Sequence, residues 1–203
     1  MIRLLKNRQG LSEVVTVLII LVVSILLASV VVFYAINVVS TRVQEESLNV
    51  ANVHIWVNST ATPGTANCTL ASMMVVNIGG RDVVLDEIAV RGQACPWNGT
   101  TAPGAEKFVL YATIPGAIAA DLTYVPNFNY TGGTNSAVLG GVQYNFTVAN
   151  NNLVLKSGNA MLIYVVNPDS ISVSDVGLTT SVALHSAQAV YIKETNVEAV
   201  KSS

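Results

Sequence analysis

Residues 11–39 read LSEVVTVLIILVVSILLASVVVFYAINVV, and the rest of the chain is organised around them. After Glu13 no charged residue occurs until Arg42, and neither Gly nor Pro occurs between Gly10 and Pro63. About 20 apolar residues in a helix cross a bilayer core of ~30 Å. At ~1.5 Å per residue, the uncharged part of this run extends on the order of 40 Å. Its many Val and Ile residues favour strand in water. In lipid a lone strand would leave its N–H and C=O groups unpaired, whereas a helix pairs them internally. The run is predicted to be a helix.

What precedes the run bears on its use. MIRLLKNRQG carries Arg3, Lys6 and Arg8, no acid, and ends at Gly10. A secretory signal has a short apolar region followed by a small-residue cleavage site. Here the apolar region is long and the small residue lies before it. That order suits removal of a short basic leader with the helix retained; an uncleaved single-pass anchor is the alternative. Cations ahead of the helix keep the N-terminus cytoplasmic and the C-terminal part outside.

The leader and the sequence Gly-Leu-Ser-Glu-Val-Val at residues 10–15 resemble the class III signal peptide of type IV pilins, most closely archaeal pilins and archaellins. In that family a prepilin peptidase cuts on the cytoplasmic side, which implies cleavage between Gly10 and Leu11. Bacterial pilins carry Glu at the fifth mature position. Here that position is Val15 and Glu13 is the third, so the likeness is archaeal. A shorter resemblance to archaellin and archaeal pilin head domains lies in Val75-Val76-Asn77-Ile78-Gly79 followed by Val83, Leu85, Ile88 and Val90.

The chain has 203 residues, 51% apolar and only 11% charged. The usual charged share of a globular domain is ~25%. After a helical region of about 45 residues, roughly 150 remain, enough for one domain. That remainder is rich in Asn, Thr, Ser, Gly and Val, a surface suited to coverage by neighbouring subunits or sugar. Net charge is −2, falling to −5 without the three leader cations. No basic patch exists, which argues against nucleic acid as a partner.

The expected class is α+β: a leader at 1–10, a hydrophobic helix at 11–51, and an extracellular, all-β, immunoglobulin-like sandwich at 52–203. Residues 40–51 read as the helix continuing beyond the membrane. From Val53 apolar residues alternate with a period of two, as in a half-buried strand. Further strands are expected at 70–77, 83–91, 108–114, 142–148, 153–156, 160–166, 179–184 and 189–193, with a short piece at 197–200. Gly79-Gly80 is a hairpin signal because such turns need positive φ; in a sandwich the two flanking strands could instead lie in facing layers. Residues 93–107 and 127–141 read as loops, and 115–125 as either a helical turn or a strand.

Cys68 and Cys95 are the only cysteines. In an exported domain they form a candidate disulfide, worth roughly 3–4 kcal/mol on the chain-entropy account; two separate buried thiols are the alternative. Five Asn-x-Ser/Thr sequons, at Asn58, Asn67, Asn98, Asn129 and Asn145, are candidate N-glycosylation sites. Polar loop composition also produces such triplets, but the resemblance implies glycosylation. Glu13 is the one charge expected in the helix core, where a carboxylate costs about 2.5–3.5 kcal/mol on insertion scales. Either the α-amino group at Leu11 partners it, or it sits at headgroup depth near the helix start.

His54 and His185 have no Cys or carboxylate at metal-ligand spacing, so they read as strand residues. Asp82, Asp86, Glu87, Asp169 and Asp175 lack the alternation of a calcium loop and read as turn acids. No catalytic motif, metal site or cofactor site is expected. The resemblance implies a structural subunit of a type IV pilus-like surface filament for adhesion. It would sit in the cytoplasmic membrane before assembly and polymerise with its own copies through the helix. Its implied partners are the peptidase, an assembly ATPase and a membrane platform. Gln9 between Arg8 and Gly10 tilts the reading from archaellin to pilus. An archaellin, or a membrane-anchored extracellular binding domain, is the alternative.

Overall fold

The computed structural model describes residues 2–43, 45–58, 60, 68–99, 106–128, 130 and 135–200, with helix side chains from Ser12 to Thr41. The chain divides into two units at residues 44/45. The first is one helix, α1 (Ile2–Val43). The second is a mostly β domain, so the α+β class holds.

The helix ends earlier than its expected limit at residue 51. Leu48 and Val50 are buried while Asn49 between them is exposed, a period of two that a helix cannot place on one face. The strand β1 (Leu48–Asn58) therefore begins where the sequence suggested helix. A bulge at residues 51–54, with Asn52 at φ 50°, then inserts a step into the ladder. It shifts the alternation, so that Leu48 and Val50 before it and Ile55 and Val57 after it face the same core.

The remaining strands are β2 (Thr69–Asn77), β3 (Val83–Val90), β4 (Gln93–Cys95), β5 (Asn98–Gly99), β6 (Lys107–Ile114) and β7 (Ser136–Leu139). They continue with β8 (Val142–Asn145), β9 (Thr147–Val148), β10 (Leu153–Leu155), β11 (Ala160–Val166), β12 (Thr179–Ser186) and β13 (Val190–Val200). Eleven form one curled mixed sheet in the order β10-β3-β12-β13-β1-β2-β11-β6-β5, with β4 beside β3 and β9 beside β6. The strand β13 joins the two halves: residues 190–196 pair antiparallel with β12, and 197–200 pair parallel with β1. The two layers of the expected sandwich are thus one continuous sheet folded over a core of Ile55, Val75, Leu85, Ile88, Ile163 and Leu184.

The strands β2 and β3 do not pair with one another; each belongs to a different layer. Gly79 is therefore not a positive-φ hairpin glycine. It sits where a Cβ would come within 2.7 Å of the Glu45 carbonyl oxygen and 2.8 Å of the Ser47 nitrogen. Both Ile78 and Gly79 donate their N–H to the Ser47 oxygen at 3.0 Å. Asn77, 1% exposed, holds the crossover: its Nδ2 donates to the Arg81 and Leu155 carbonyls at 2.8 and 3.1 Å, and its Oδ1 accepts from Gly79 N–H at 3.0 Å.

A second core lies on the other face of β1, β2, β11 and β6. Segment 115–148 covers it, burying Leu122, Phe128, Leu139 and Phe146 against Trp56, Leu110 and Tyr164. This explains the unbroken apolar runs of β2 and β11, which have no solvent face. Residues 115–125 are neither helix nor strand. The expected loop at 127–141 contains β7, which pairs with β8 across Gly140-Gly141 at φ 58° and 84°, a two-residue turn of the kind only Gly or Asn adopts readily.

Candidate functional site

From Ser12 to Thr41 the helix is apolar enough and long enough to cross a membrane, and none of it is buried. Thirty residues at ~1.5 Å each give about 45 Å, half as long again as a hydrocarbon core. Four of its hydroxyls bond back to the helix's own carbonyls. Thr16 donates to the Ser12 carbonyl at 2.9 Å, Ser24 to Ile20 at 2.7 Å, Ser29 to Ile25 at 2.8 Å, and Thr41 to Asn37 at 2.9 Å. Away from the helix end, the backbone of this stretch pairs internally and needs no water. Large apolar side chains, among them Leu18, Ile20, Leu26, Val31, Phe33 and Ile36, are exposed on every side. The helix has the length and composition of a membrane anchor or signal.

The helix runs through the Gly10–Leu11 bond without a break. Gly costs a helix interior about 1 kcal/mol relative to Ala. Gly10 is thus the weakest helix former ahead of the apolar run. The side chains of Arg3, Lys6, Arg8 and Leu11 lie outside the described residues. Glu13 is exposed.

Cys68 and Cys95 are not bridged; both are thiols. Cys95 belongs to the core between the layers, where burial pushes its thiol up to about 11. Cys68, just before β2, has its carbonyl accepting from Asn58 N–H at 2.8 Å and its thiol near Tyr124 of the covering segment. The covering segment lies on the opposite face of the layer from Cys95, so the candidate disulfide is replaced by two thiols in separate surroundings.

The sequons fall into distinct settings. Asn98 and Asn145 are exposed, on β5 and at the end of β8, although a loop and a strand interior were expected for them. Asn58 is 7% exposed, and its Oδ1 accepts from the Thr60 N–H at 3.0 Å and the Thr60 hydroxyl at 2.8 Å. The acceptor amide is folded back on its own sequon. Asn67 and Asn129 lie outside the described residues.

Of the expected turn acids, Asp82, Asp169 and Asp175 lie outside the strands, whereas Asp86 and Glu87 belong to β3. Asp175 accepts from Ser172 N–H at 2.8 Å, the Ser172 hydroxyl at 2.7 Å and Arg91 at 2.8 Å. The Ser172 hydroxyl and amide, then Arg91, hold its carboxyl below the usual range. Asp82 takes Ser157 N–H at 2.9 Å, Asp86 takes Asn152 Nδ2 at 2.8 Å, and Asp169 pairs with Lys107. His185 lies 4.0 Å from Glu87. Among the described residues no group of three or more His, Cys, Asp or Glu is placed to hold a metal ion.

His54 lies on β1, the strand position expected of it, but it has neighbours that the sequence did not announce. The fold brings two carboxylates to it: Asp121 Oδ1 lies 2.9 Å from Nε2, and Glu198 Oε1 lies 3.2 Å from Nδ1. They come from 67 and 144 residues away, beyond the reach of any local spacing rule. The imidazole stacks on Trp56 at 5.1 Å and 5°, and the Trp56 indole donates to Glu198 Oε2 at 3.1 Å. No family model and no curated protein matches the chain.

Proposed function

We propose that this chain is a structural subunit of an archaeal type IV pilus-like surface filament. Removal of residues 1–10 leaves the apolar helix as its polymerisation element. The observation that carries the reading is the part of α1 from Ser12 to Thr41, thirty residues unburied on every side, which follows three cations and Gly10. Such a helix needs partners all round, and lipid or other helices supply them equally well. Exchanging one for the other gains little from hydrophobicity, so close van der Waals packing and contacts between β domains favour the filament. Extraction from the membrane then draws on an assembly ATPase and membrane platform. The β domain, outside the cell, offers surface for adhesion and for sugar, and its role is structural rather than catalytic.

The test is mass analysis of the mature N-terminus on native material, with shearing of surface filaments from cells. A chain beginning at Leu11 and forming the bulk of the sheared fraction supports the proposal. A chain retaining residues 1–10 in the membrane fraction, absent from filaments, overturns it and leaves an anchored binding domain. Loss of swimming in a deletion strain would assign the filament to motility instead of adhesion.

A further inference from the structure

The environment of His54 requires two donors from one ring. Ionised carboxylates only accept hydrogen bonds, and a neutral imidazole has a single N–H. With Asp121 at 2.9 Å from Nε2 and Glu198 at 3.2 Å from Nδ1, both contacts form together only when the ring is the imidazolium. Without the second proton, one ring lone pair faces a carboxylate oxygen and that contact becomes repulsive. The two carboxylates belong to different parts of the domain. Asp121 sits on the covering segment, Glu198 on the last strand β13, and His54 on β1 between them.

The surrounding bonds make this arrangement a fastening. The Asn52 side chain, at the β1 bulge, donates to the Ala120 carbonyl at 3.1 Å, and Tyr164 donates to the Thr123 carbonyl at 3.0 Å. Tyr124 packs edge-on to Trp56 at 6.2 Å. These are neutral contacts; the His54–Asp121 contact is the charged one among them. Of the neighbouring side chains, Tyr164, on β11, is held neutral by burial, and Ser72, opposite His54 on β2, carries no charge.

We propose that His54 is a pH-sensitive latch that ties the covering segment to the C-terminal strand when the imidazole is protonated and uncouples them when it is not. Burial alone would lower the affinity of the ring for its proton, but the bonds to Asp121 and Glu198 outweigh it and hold it above the ordinary 6.5. A raised folded value means the latch contributes fully below 6.5. Its contribution is lost as pH rises through the raised value. The domain is therefore fastened in mildly acidic surroundings and looser in alkaline ones.

The experiment is an NMR titration of the full chain in detergent micelles. It follows His54 Cε1–H, the Trp56 indole N–H bound to Glu198, and the Leu122 amide that donates to Asp121 at 3.0 Å. His185→Gln assigns the histidine signal. The latch requires a His54 midpoint above 6.5. It also requires the indole or the Leu122 amide to shift with that same midpoint. Asp121→Asn, at an exposed position, and Glu198→Gln must each move the midpoint downward. A midpoint at or below the ordinary value, or one that either substitution leaves in place, overturns the proposal, as do reporters that stay flat through it.

Discussion

Replacing Gly79 by Ala adds one methyl group where the domain has no room for it. The new Cβ would lie 2.7 Å from the Glu45 oxygen and 2.8 Å from the Ser47 nitrogen, both backbone atoms that no rotamer change can move aside. Relief requires segment 45–47 to shift away from the crossover, and that strains or breaks the two N–H bonds to the Ser47 carbonyl. Overpacking of this kind costs about 1–3 kcal/mol. Two weakened backbone bonds, at about 1 kcal/mol each if lost, bring the expected destabilisation to about 2–4 kcal/mol. For a domain of this size that is a fall in Tm of roughly 5–15 °C. Gly116→Ala is the control, since nothing lies within 4 Å of its Cβ position. It should be neutral or slightly stabilising through the unfolded state. Thermal melts followed by near-ultraviolet circular dichroism in detergent give both values. If Gly79→Ala melts within a degree or two of Gly116→Ala, the close approach is not what selects glycine, and the account of the crossover fails.

Three further outcomes are expected. Peptide mapping should find sugar on Asn98 and Asn145 but none on Asn58, whose amide is buried and engaged; a glycan on Asn58 would contradict the assignment. Alkylation of native, unreduced protein followed by alkylation in denaturant should label two thiols in all. Cys95 should react only once unfolded, because burial raises its pKa to about 11; an unreduced chain that takes up no label in denaturant would restore the disulfide. Phe128→Ala should cost about 3–5 kcal/mol. The ring fills the space between Tyr164 at 5.1 Å and Phe146 at 5.8 Å, and a variant with unchanged stability would show that segment 115–148 is not integral to the fold.

How much could be read from the residues depended on how far apart the interacting groups lie in the chain. The helix is legible because composition alone separates it from everything else. The strands β2 and β11 are legible as apolar runs, but their second buried face was not, since nothing in TLASMMVVN says what lies on either side. The hairpin β7–β8 had its signal in Val138-Leu139-Gly140-Gly141-Val142, and the surrounding Asn, Thr and Gly residues obscured it. Residues 45–51 read as a continuing helix because Leu48 and Val50 resemble a fading helical stripe as much as the first alternation of β1. The His54 cluster and the separation of the two cysteines depend on contacts between segments far apart in sequence. Local periodicity carries no information about either.

The two borders of the eleven-stranded sheet bear on how such molecules can be crowded together. One side of β3 carries only the three-residue β10 and β4, and the far side of β6 only the two-residue β5 and β9. Long bare borders invite strand-to-strand adhesion between molecules, and short interrupted ones discourage it. Copies held at high density on a surface would gain little from zipping their sheets together. In the proposed filament, association would then be left to the apolar rod, where its geometry would be set by helix packing instead of by accidental cross-β contact.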